Sequence, residues 1–93
     1  MPAFPIVGNK FRKIDEQVAF RNLAQGQDLL LKRDPDNEFD PNAVEVHDLA
    51  GHHLGFIPKN MNEELAGRLD NNEPYETCFY EDGKVFVEFS DEA

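Results

Sequence analysis

The most distinctive group of side chains lies at residues 33–46, where Asp, Asn and Pro surround a single aromatic residue. The segment reads Arg-Asp-Pro-Asp-Asn-Glu-Phe-Asp-Pro-Asn-Ala-Val-Glu-Val. Four of its side chains can accept hydrogen bonds from nearby backbone N–H groups in Asx-turns; they are Asp36, Asn37, Asp40 and Asn42. Two roles stay open for Phe39: a plug over the core, or an exposed contact for a ligand.

A calcium loop is the first alternative for this segment, because Asp34, Asp36 and Glu38 occupy alternate positions as EF-hand ligands do. The position that requires glycine holds Phe39, however, and the last ligand position falls on Glu45 inside a predicted strand. Predicted helices do not flank the loop as an EF-hand requires. The segment is therefore not predicted to bind calcium.

Nucleophilic and metal chemistry have little support elsewhere in the chain. Cys78 lies in mid-strand, without a glycine-rich elbow or a suitably spaced histidine. His52 and His53 are adjacent, and adjacent strand residues point to opposite faces, so the pair is expected in a solvated turn rather than on one metal. We predict no metal site, no cofactor and no enzymatic activity.

Regular elements must flank the polar segment, because its prolines exclude helix and strand at residues 34–41. Before it, alternating apolar residues predict a strand at 3–8. A helix is predicted at 15–25, with Asp15 as its N-cap and Gly26 just beyond its end. A further strand is predicted at 28–33.

The elements after the segment begin with a hairpin of strands 43–47 and 53–57, in which Gly51 takes the left-handed conformation. Val44 and Val46 are expected on one face, with Glu45 and His47 on the other.

A second helix is predicted from Asn60 to residue 70, with Glu63 completing a capping box. Its core-facing residues are Met61, Leu65 and Leu69. Two last strands, 75–80 and 84–89, are joined by Asp82-Gly83, a strong hairpin signal.

This order of elements predicts a mainly β (α+β) fold. The expected architecture is a small OB-like, partly closed antiparallel β-barrel of about six strands with two short helices. The chain of 93 residues is expected to be one domain, 1–93, because typical domains run to about 100–150 residues. The acidic tail at 90–93 is expected to fray.

Cysteine usage and hydropathy indicate the compartment. Cys78 is the only cysteine and cannot form an internal disulfide, which favours a reducing environment. The longest apolar run, residues 29–31, is far shorter than the ~20 residues of a membrane span. Residues 1–5 do not resemble the start of a secretory signal. We therefore expect a cytoplasmic protein without a membrane partner.

The net charge of −10 argues at first against a nucleic-acid partner. The charge is unevenly distributed, however. Residues 1–33 contain six Lys or Arg and three Asp or Glu, whereas residues 34–93 contain three and sixteen. Such asymmetry can mark a polarised surface, although acidic residues can also merely maintain solubility.

Three stretches of the chain closely resemble a HIRAN domain. They are Gly8, the segment from Gln27 to Val46, and the segment from Gly51 to Lys59. The most specific strings are Arg-Asp-Pro-x-Asn-x-Phe-Asp-x-Asn-Ala-Val and Leu-Gly-x-Ile-Pro-Lys, followed by Leu65-Ala66 in the second helix. The resemblance runs over nearly the whole chain.

The resemblance implies an OB-like barrel that holds the 3′-hydroxyl end of single-stranded DNA. By position, Phe11 and Phe39 would stack on the terminal bases, and Asp40 would accept a hydrogen bond from the 3′-hydroxyl. An aromatic face stacks on any base, and a carboxylate distinguishes a hydroxyl from a phosphate. The stacking residues are Phe here, where well-studied relatives have Tyr.

The remaining site residues also come from the resemblance. Asn37 and Asp36 would line the base edges or shape the loop. Lys10 and Lys59 would contact phosphates, and Phe56 would form the pocket wall. Charge alone suggests that three further cations could extend the rim: Arg12, Lys13 and Arg33.

The function expected from the resemblance is a non-catalytic, monomeric DNA-binding module in repair or replication-fork processing. Its partners would be single-stranded DNA 3′ ends and a separately encoded helicase or nuclease. It would be nucleoid-associated in a bacterium or nuclear in a eukaryote. The acidic surface supports an alternative, a protein–protein adaptor that kept the fold and lost DNA binding.

Overall fold

The computed structural model describes residues 1–90, which form six strands and two α-helices. The strands are β1 (Ala3–Pro5), β2 (Leu29–Arg33), β3 (Val44–Asp48), β4 (His53–Phe56), β5 (Tyr75–Glu81) and β6 (Lys84–Phe89). The helices are α1 (Ile14–Arg21) and α2 (Glu63–Asp70), each preceded by a short 3₁₀ turn, at Asn9–Phe11 and Lys59–Met61 respectively. The mainly β prediction with six strands is confirmed.

The strands form two antiparallel sheets, in the orders β1-β6-β5 and β2-β3-β4. Single bridges join the sheets at two places, Val7 to Phe56 and Asp28 to Phe79. Because these contacts are isolated, the hydrogen-bonded ladder is not continuous around the molecule. The partly closed barrel is therefore not confirmed.

The predicted first strand, residues 3–8, is divided between the two sheets. Ala3–Pro5 pairs with β6, but Val7 pairs with β4 through two hydrogen bonds. The Val7 N–H donates to Phe56 O at 2.9 Å, and the Phe56 N–H donates to Val7 O at 2.8 Å. The N-terminal segment therefore passes from one sheet to the other.

This crossing requires glycine at position 55. A Cβ on Gly55 would lie 2.5 Å from Val7 O and 2.9 Å from Ile6 Cγ2. Real Cβ atoms do not approach other atoms so closely, so a side chain here would push the two segments apart. The glycine allows the backbones to meet where the sheets join.

The core lies between the sheets and is built from alternating strand residues. Val44 and Val46 are fully buried, and their neighbours Glu45 and His47 are half-buried on the opposite face, as predicted. Val85 and Val87 alternate in the same way on β6. Leu29 is buried but Leu30 is 44% exposed, so only part of the apolar triplet contributes to the core.

Both predicted limits of α1 were wrong. The N-cap is Lys13, and Asp15 lies inside the first turn, where its charge favours the helix N-terminus. The helix ends at Arg21, and Asn22 is its C-cap. Gly26 has a φ of 82°, but it belongs to the turn before β2 rather than to the helix end.

The start of α2 was also predicted wrongly. Asn60 lies in the 3₁₀ turn, Asn62 occupies the N-cap position, and no side-chain capping bond forms there. Met61 is 41% exposed rather than in the core. Leu65 is buried, as predicted.

Both hairpins are confirmed. Gly51 has a φ of 94°, and Asp82 and Gly83 have φ values of 48° and 81°, as a tight turn between twisted strands requires. Of the tail predicted to fray, residues 91–93 lie outside the described residues. Within residues 1–90, no helix combines the length and apolar character needed to cross a membrane.

Candidate functional site

A pocket of about 310 Å³ lies beside the junction of the sheets. Three separate chain segments build its wall: the crossing after β1, the polar loop before β3, and the end of β4 with the turn that follows it. The lining residues are Val7, Asn37, Phe39, Asp40, Ala43, Phe56, Ile57 and Lys59.

Asn37 organises the polar loop. Its Oδ1 accepts hydrogen bonds from the backbone N–H groups of Phe39, at 2.9 Å, and Asp40, at 3.1 Å. Its Nδ2 donates to Asp34 Oδ2 at 3.1 Å. The side chain therefore forms the predicted Asx-turn and fixes Phe39 and Asp40 at the pocket mouth.

Asp40 is held from two sides. Its Oδ1 accepts a hydrogen bond from the Asn42 N–H at 2.9 Å, and its Oδ2 accepts one from Asn62 Nδ2 at 2.7 Å. An ionised carboxylate has about four acceptor positions, so two bonds leave capacity for a ligand.

Asn62 was not identified from the sequence, although it is only 1% exposed and ties the loop to the start of α2. The only sequence signal is an Asn ahead of Glu63 and Glu64. Asn60 gives the same signal, so the pattern does not distinguish the two.

Arg33 braces the loop from behind. Its guanidinium donates to the carbonyl oxygens of Ala43 and Pro41, and it forms an ion pair with Asp70 at 2.9 Å. Arg12 is similarly paired with Glu16 at 2.9 Å. These two arginines therefore stabilise the structure in their observed positions and do not extend a cationic rim.

Phe39 and Phe56 present their rings to the pocket in different ways. Phe39 is 83% exposed at the mouth, so its ring does not plug the core. Phe56 is half-buried, and its ring edge packs on His53 with centroids 4.8 Å apart. The pocket thus has one exposed aromatic face and one supported aromatic wall.

Phe11 and Lys10 lie outside the pocket lining, on the 3₁₀ turn that follows Gly8. Phe11 is 81% exposed, and Lys10 Nζ lies 5.2 Å from the centre of its ring. Asp36 is also exposed and outside the lining.

The structure therefore brings together five of the eight predicted site residues. They are Asn37, Phe39, Asp40, Phe56 and Lys59.

The chemistry of the pocket suits a flat, polar ligand. An exposed ring can stack on a base, the Asp40 carboxylate can accept from a hydroxyl, and the Lys59 ammonium can approach an anion. Asn37 contributes mainly by holding the loop. Cys78 does not line the pocket, and burial raises the pKa of its thiol to about 12, which disfavours the reactive thiolate.

The adjacent histidines were predicted in a solvated turn, and for His53 this was wrong. His53 is 8% exposed, and its Nε2 lies 3.1 Å from Gly55 O. Burial lowers the pKa of His53, against the opposing charge of Glu45. His52 points elsewhere: its hydrogen bond to Asp48, at 2.7 Å, and the charge of that carboxylate raise the pKa of His52.

Comparison with known proteins matches most of the chain to one family. A family model described as the HIRAN domain matches residues 3–88. The chain is similar to a crystal structure of a protein from Lactobacillus plantarum, with a TM-score of 0.78 and 22% identity, over 96% of this chain and 89% of that one.

It is also similar to the crystal structure of the HIRAN domain of human HLTF, with a TM-score of 0.77 and 20% identity. That match covers 95% of this chain and 73% of the other. At these identities the likeness to both structures concerns the fold. A search of curated proteins found no significant match.

Proposed function

The chain belongs to the HIRAN domain family, and we propose that it is a non-catalytic nucleic-acid-binding module that captures the 3′-hydroxyl end of single-stranded DNA. Family membership supports the nucleic-acid partner. The observation that carries the finer proposal is the position of Phe39 and Asp40 in one pocket, where an exposed ring stands next to a carboxylate.

Phe39 supplies the stacking platform. Its ring is exposed, but hydrogen bonds between its backbone and the side chains of Asn37 and Lys59 hold the residue in place. The backbone of Phe39 is therefore already ordered before a ligand binds. Base–aromatic stacking contributes about 1–3 kcal/mol per base and does not depend on sequence. Phe11, exposed on the neighbouring 3₁₀ turn, supplies the second ring.

Asp40 recognises the strand end. A 3′-hydroxyl can donate a hydrogen bond to the carboxylate, whereas a phosphate at the same place would be repelled by it. Because the bonds from Asn42 and Asn62 fix the carboxylate, this preference is built into the folded pocket.

Lys59 and Lys10 supply the contacts to phosphate. Few phosphates would be neutralised, because Arg12 and Arg33 are already paired with carboxylates. The salt dependence of binding should therefore be shallow, and the acidic remainder of the surface should repel duplex flanks.

The direct test is fluorescence anisotropy with matched oligonucleotides that end in a 3′-hydroxyl or a 3′-phosphate, each at two salt concentrations. We expect tighter binding of the hydroxyl end at both concentrations. Equal binding of the two ends, or no binding at low salt, would overturn the proposal of end capture.

The cellular role follows from the same proposal. A module that holds a 3′ end without cleaving it would serve DNA repair or replication-fork processing together with a separately encoded helicase or nuclease. It would act as a monomer wherever the DNA is: the bacterial nucleoid, within the cytoplasm, or the eukaryotic nucleus.

A protein–protein adaptor is the second candidate, favoured by the apolar exposure of α1. Ile14 is 74% exposed and Val18 39% exposed, on one side of a short helix. With a net charge of −10, a basic protein would be the expected partner. The adaptor function would be supported if the native chain, but not Ile14→Asp, recovered one basic protein in a pull-down and if the anisotropy assay showed no DNA binding.

A further inference from the structure

A second group of polar side chains lies on the β3–β4 hairpin, outside the pocket lining. Glu45 and His47 project from the same face of β3, and His53 lies opposite His47 on β4. The register shifts between Val46 and His47, and this irregularity brings the two histidines into direct opposition. Their rings are parallel to within 9°, with centroids 4.9 Å apart.

Three potential ligand atoms converge in this cluster. His47 Nε2 lies 2.7 Å from Glu45 Oε1, and His53 Nδ1 lies 3.7 Å from the same oxygen. The ligand atoms of the three residues all lie within 4.8 Å of one another. A tetrahedral zinc site with bonds of about 2.0–2.1 Å separates its ligands by about 3.4 Å, so small side-chain rotations would suffice.

The hydrogen bonding of His53 leaves its Nδ1 available to bind a metal ion. Its Nε2 faces the carbonyl oxygen of Gly55 at 3.1 Å, and only a protonated nitrogen can donate there. In the neutral ring, Nδ1 then carries a lone pair, and Nδ1 lies 3.7 Å from Glu45 Oε1. Both Nδ1 and Oε1 are then acceptors with no hydrogen atom between them. A cation bound between the two atoms would interact favourably with both.

The bond from His53 to Gly55 also supplies the support that metal-ligating histidines usually have. Such histidines almost always donate their second ring nitrogen to a carbonyl or a carboxylate, which fixes the tautomer and the ring orientation. The Phe56 ring packs edge-on against His53 and restricts it further.

The surroundings are compatible with a bound cation. The side chains of Glu45, His47 and His53 are 16%, 16% and 10% exposed, so the site is sheltered but still reached by solvent. The positive charge of Arg12 acts on His53, and Arg12 is paired with Glu16 at 2.9 Å.

We propose that Glu45, His47 and His53 bind one divalent transition-metal ion of the zinc class, through one carboxylate oxygen and two imidazole nitrogens. On binding, the proton on His47 Nε2 moves to Nδ1, and water completes the coordination. Two histidines and one carboxylate are a common zinc ligand set. The proposal does not depend on DNA binding.

The test is a titration of the tag-free, metal-stripped chain with Co²⁺, read by visible absorption, followed by displacement with Zn²⁺ and calorimetry for stoichiometry. We expect one ion per chain. His47→Gln and Glu45→Gln should each weaken binding by at least about tenfold, since loss of an outer-shell partner alone costs 10–100-fold.

Controls separate the site from its neighbours and from folding. His52→Gln removes the adjacent histidine outside the cluster and should bind as the native chain does, as should Phe39→Ala. Circular dichroism in chelator should show that His47→Gln and Glu45→Gln fold normally. A native chain that binds less than one ion, or a loss of binding in His52→Gln and not in His47→Gln, would overturn the proposal.

Discussion

The ammonium group of Lys59 donates a hydrogen bond to the carbonyl oxygen of Phe39, 3.1 Å away across the mouth of the pocket. Lys59 follows β4, whereas Phe39 lies in the loop before β3, so this bond holds together two sides of the pocket. The lysine therefore has two roles in the proposed function: it positions the stacking ring, and it presents a positive charge to the strand.

Phe39→Ala should weaken binding of single-stranded DNA by about 1–3 kcal/mol, because one base loses its stacking partner. The measurement is anisotropy at constant salt. Leu49→Ala is the matched control, since Leu49 is also a large exposed apolar residue, at 64%, and lies outside this pocket. Unchanged affinity in Phe39→Ala would reject its stacking role.

Asp40→Asn should reduce the preference for a 3′-hydroxyl over a 3′-phosphate, because the amide lacks the charge that repels phosphate. The amide oxygen can still accept from the Asn42 N–H, but the amide nitrogen then faces Asn62 Nδ2, so this side chain keeps one of its two bonds to the loop and to α2. The ratio of the two dissociation constants is the quantity to measure. Glu76→Gln, an exposed charge change on β5, should leave that ratio as it is in the native chain.

Lys59→Gln should weaken DNA binding and lower the slope of log affinity against log salt by about 0.7, the value for one phosphate contact on a single strand. Lys84→Gln removes the same charge from the far hairpin and should change neither quantity. If both variants behaved alike, the lysine would be acting through net charge and not through contact with the strand.

Gly55→Ala should destabilise the fold by about 1–3 kcal/mol, because the new Cβ meets the Val7 carbonyl oxygen where the sheets join. Gly67→Ala is the opposite case. Gly67 lies inside α2 with open space around it, so alanine should stabilise by about 0.5–1 kcal/mol. Urea unfolding measures the change in the free energy of unfolding in both variants. A change of the same sign in Gly55→Ala and Gly67→Ala would contradict the role given to Gly55.

Glu16 should make the fold sensitive to acid. Burial alone would raise the pKa of Glu16, but backbone N–H groups of His53 and Lys13 and the Arg12 guanidinium outweigh it and lower the pKa. A carboxyl with a lowered pKa contributes stability that is fully present above the pKa of the unfolded chain and is lost as pH falls through the folded value.

Unfolding free energy measured from neutral pH down through the ordinary range of Glu, about 4.3, should therefore fall less steeply in Glu16→Gln than in the native chain. Glu76→Gln serves as the control, because Glu76 is exposed. Parallel curves for Glu16→Gln and the native chain would show that Glu16 is not responsible.

The local signals in the sequence predicted much of the fold. Alternation of apolar residues marked the strands, and Asp82-Gly83 marked the last hairpin, because both depend on residues close together in the chain. The polar loop was predicted as well, from its prolines and its Asp and Asn residues, whereas the expectation that Asn37, Phe39 and Asp40 share a pocket came from the family resemblance.

The helix limits were misplaced because several residues near each end could act as caps. The other errors concern contacts between distant residues. The first strand is split because Val7 leaves β6 to pair with Phe56, and nothing near Val7 in the sequence indicates this. Asn62 supports the pocket because its side-chain amide donates a hydrogen bond to Asp40. His53 is buried because α1 and the Phe56 ring pack against it. Neighbouring sequence says little about such packing.

The pairing of Val7 with Phe56 also bears on how the molecule assembles. Each hairpin closes a short loop and can form early, but the pocket wall needs two strand ends that are far apart in the chain to meet. Non-local contacts of this kind form slowly, since loop-closure entropy must be overcome first. The pocket should therefore be completed late in folding, after the hairpins that surround it.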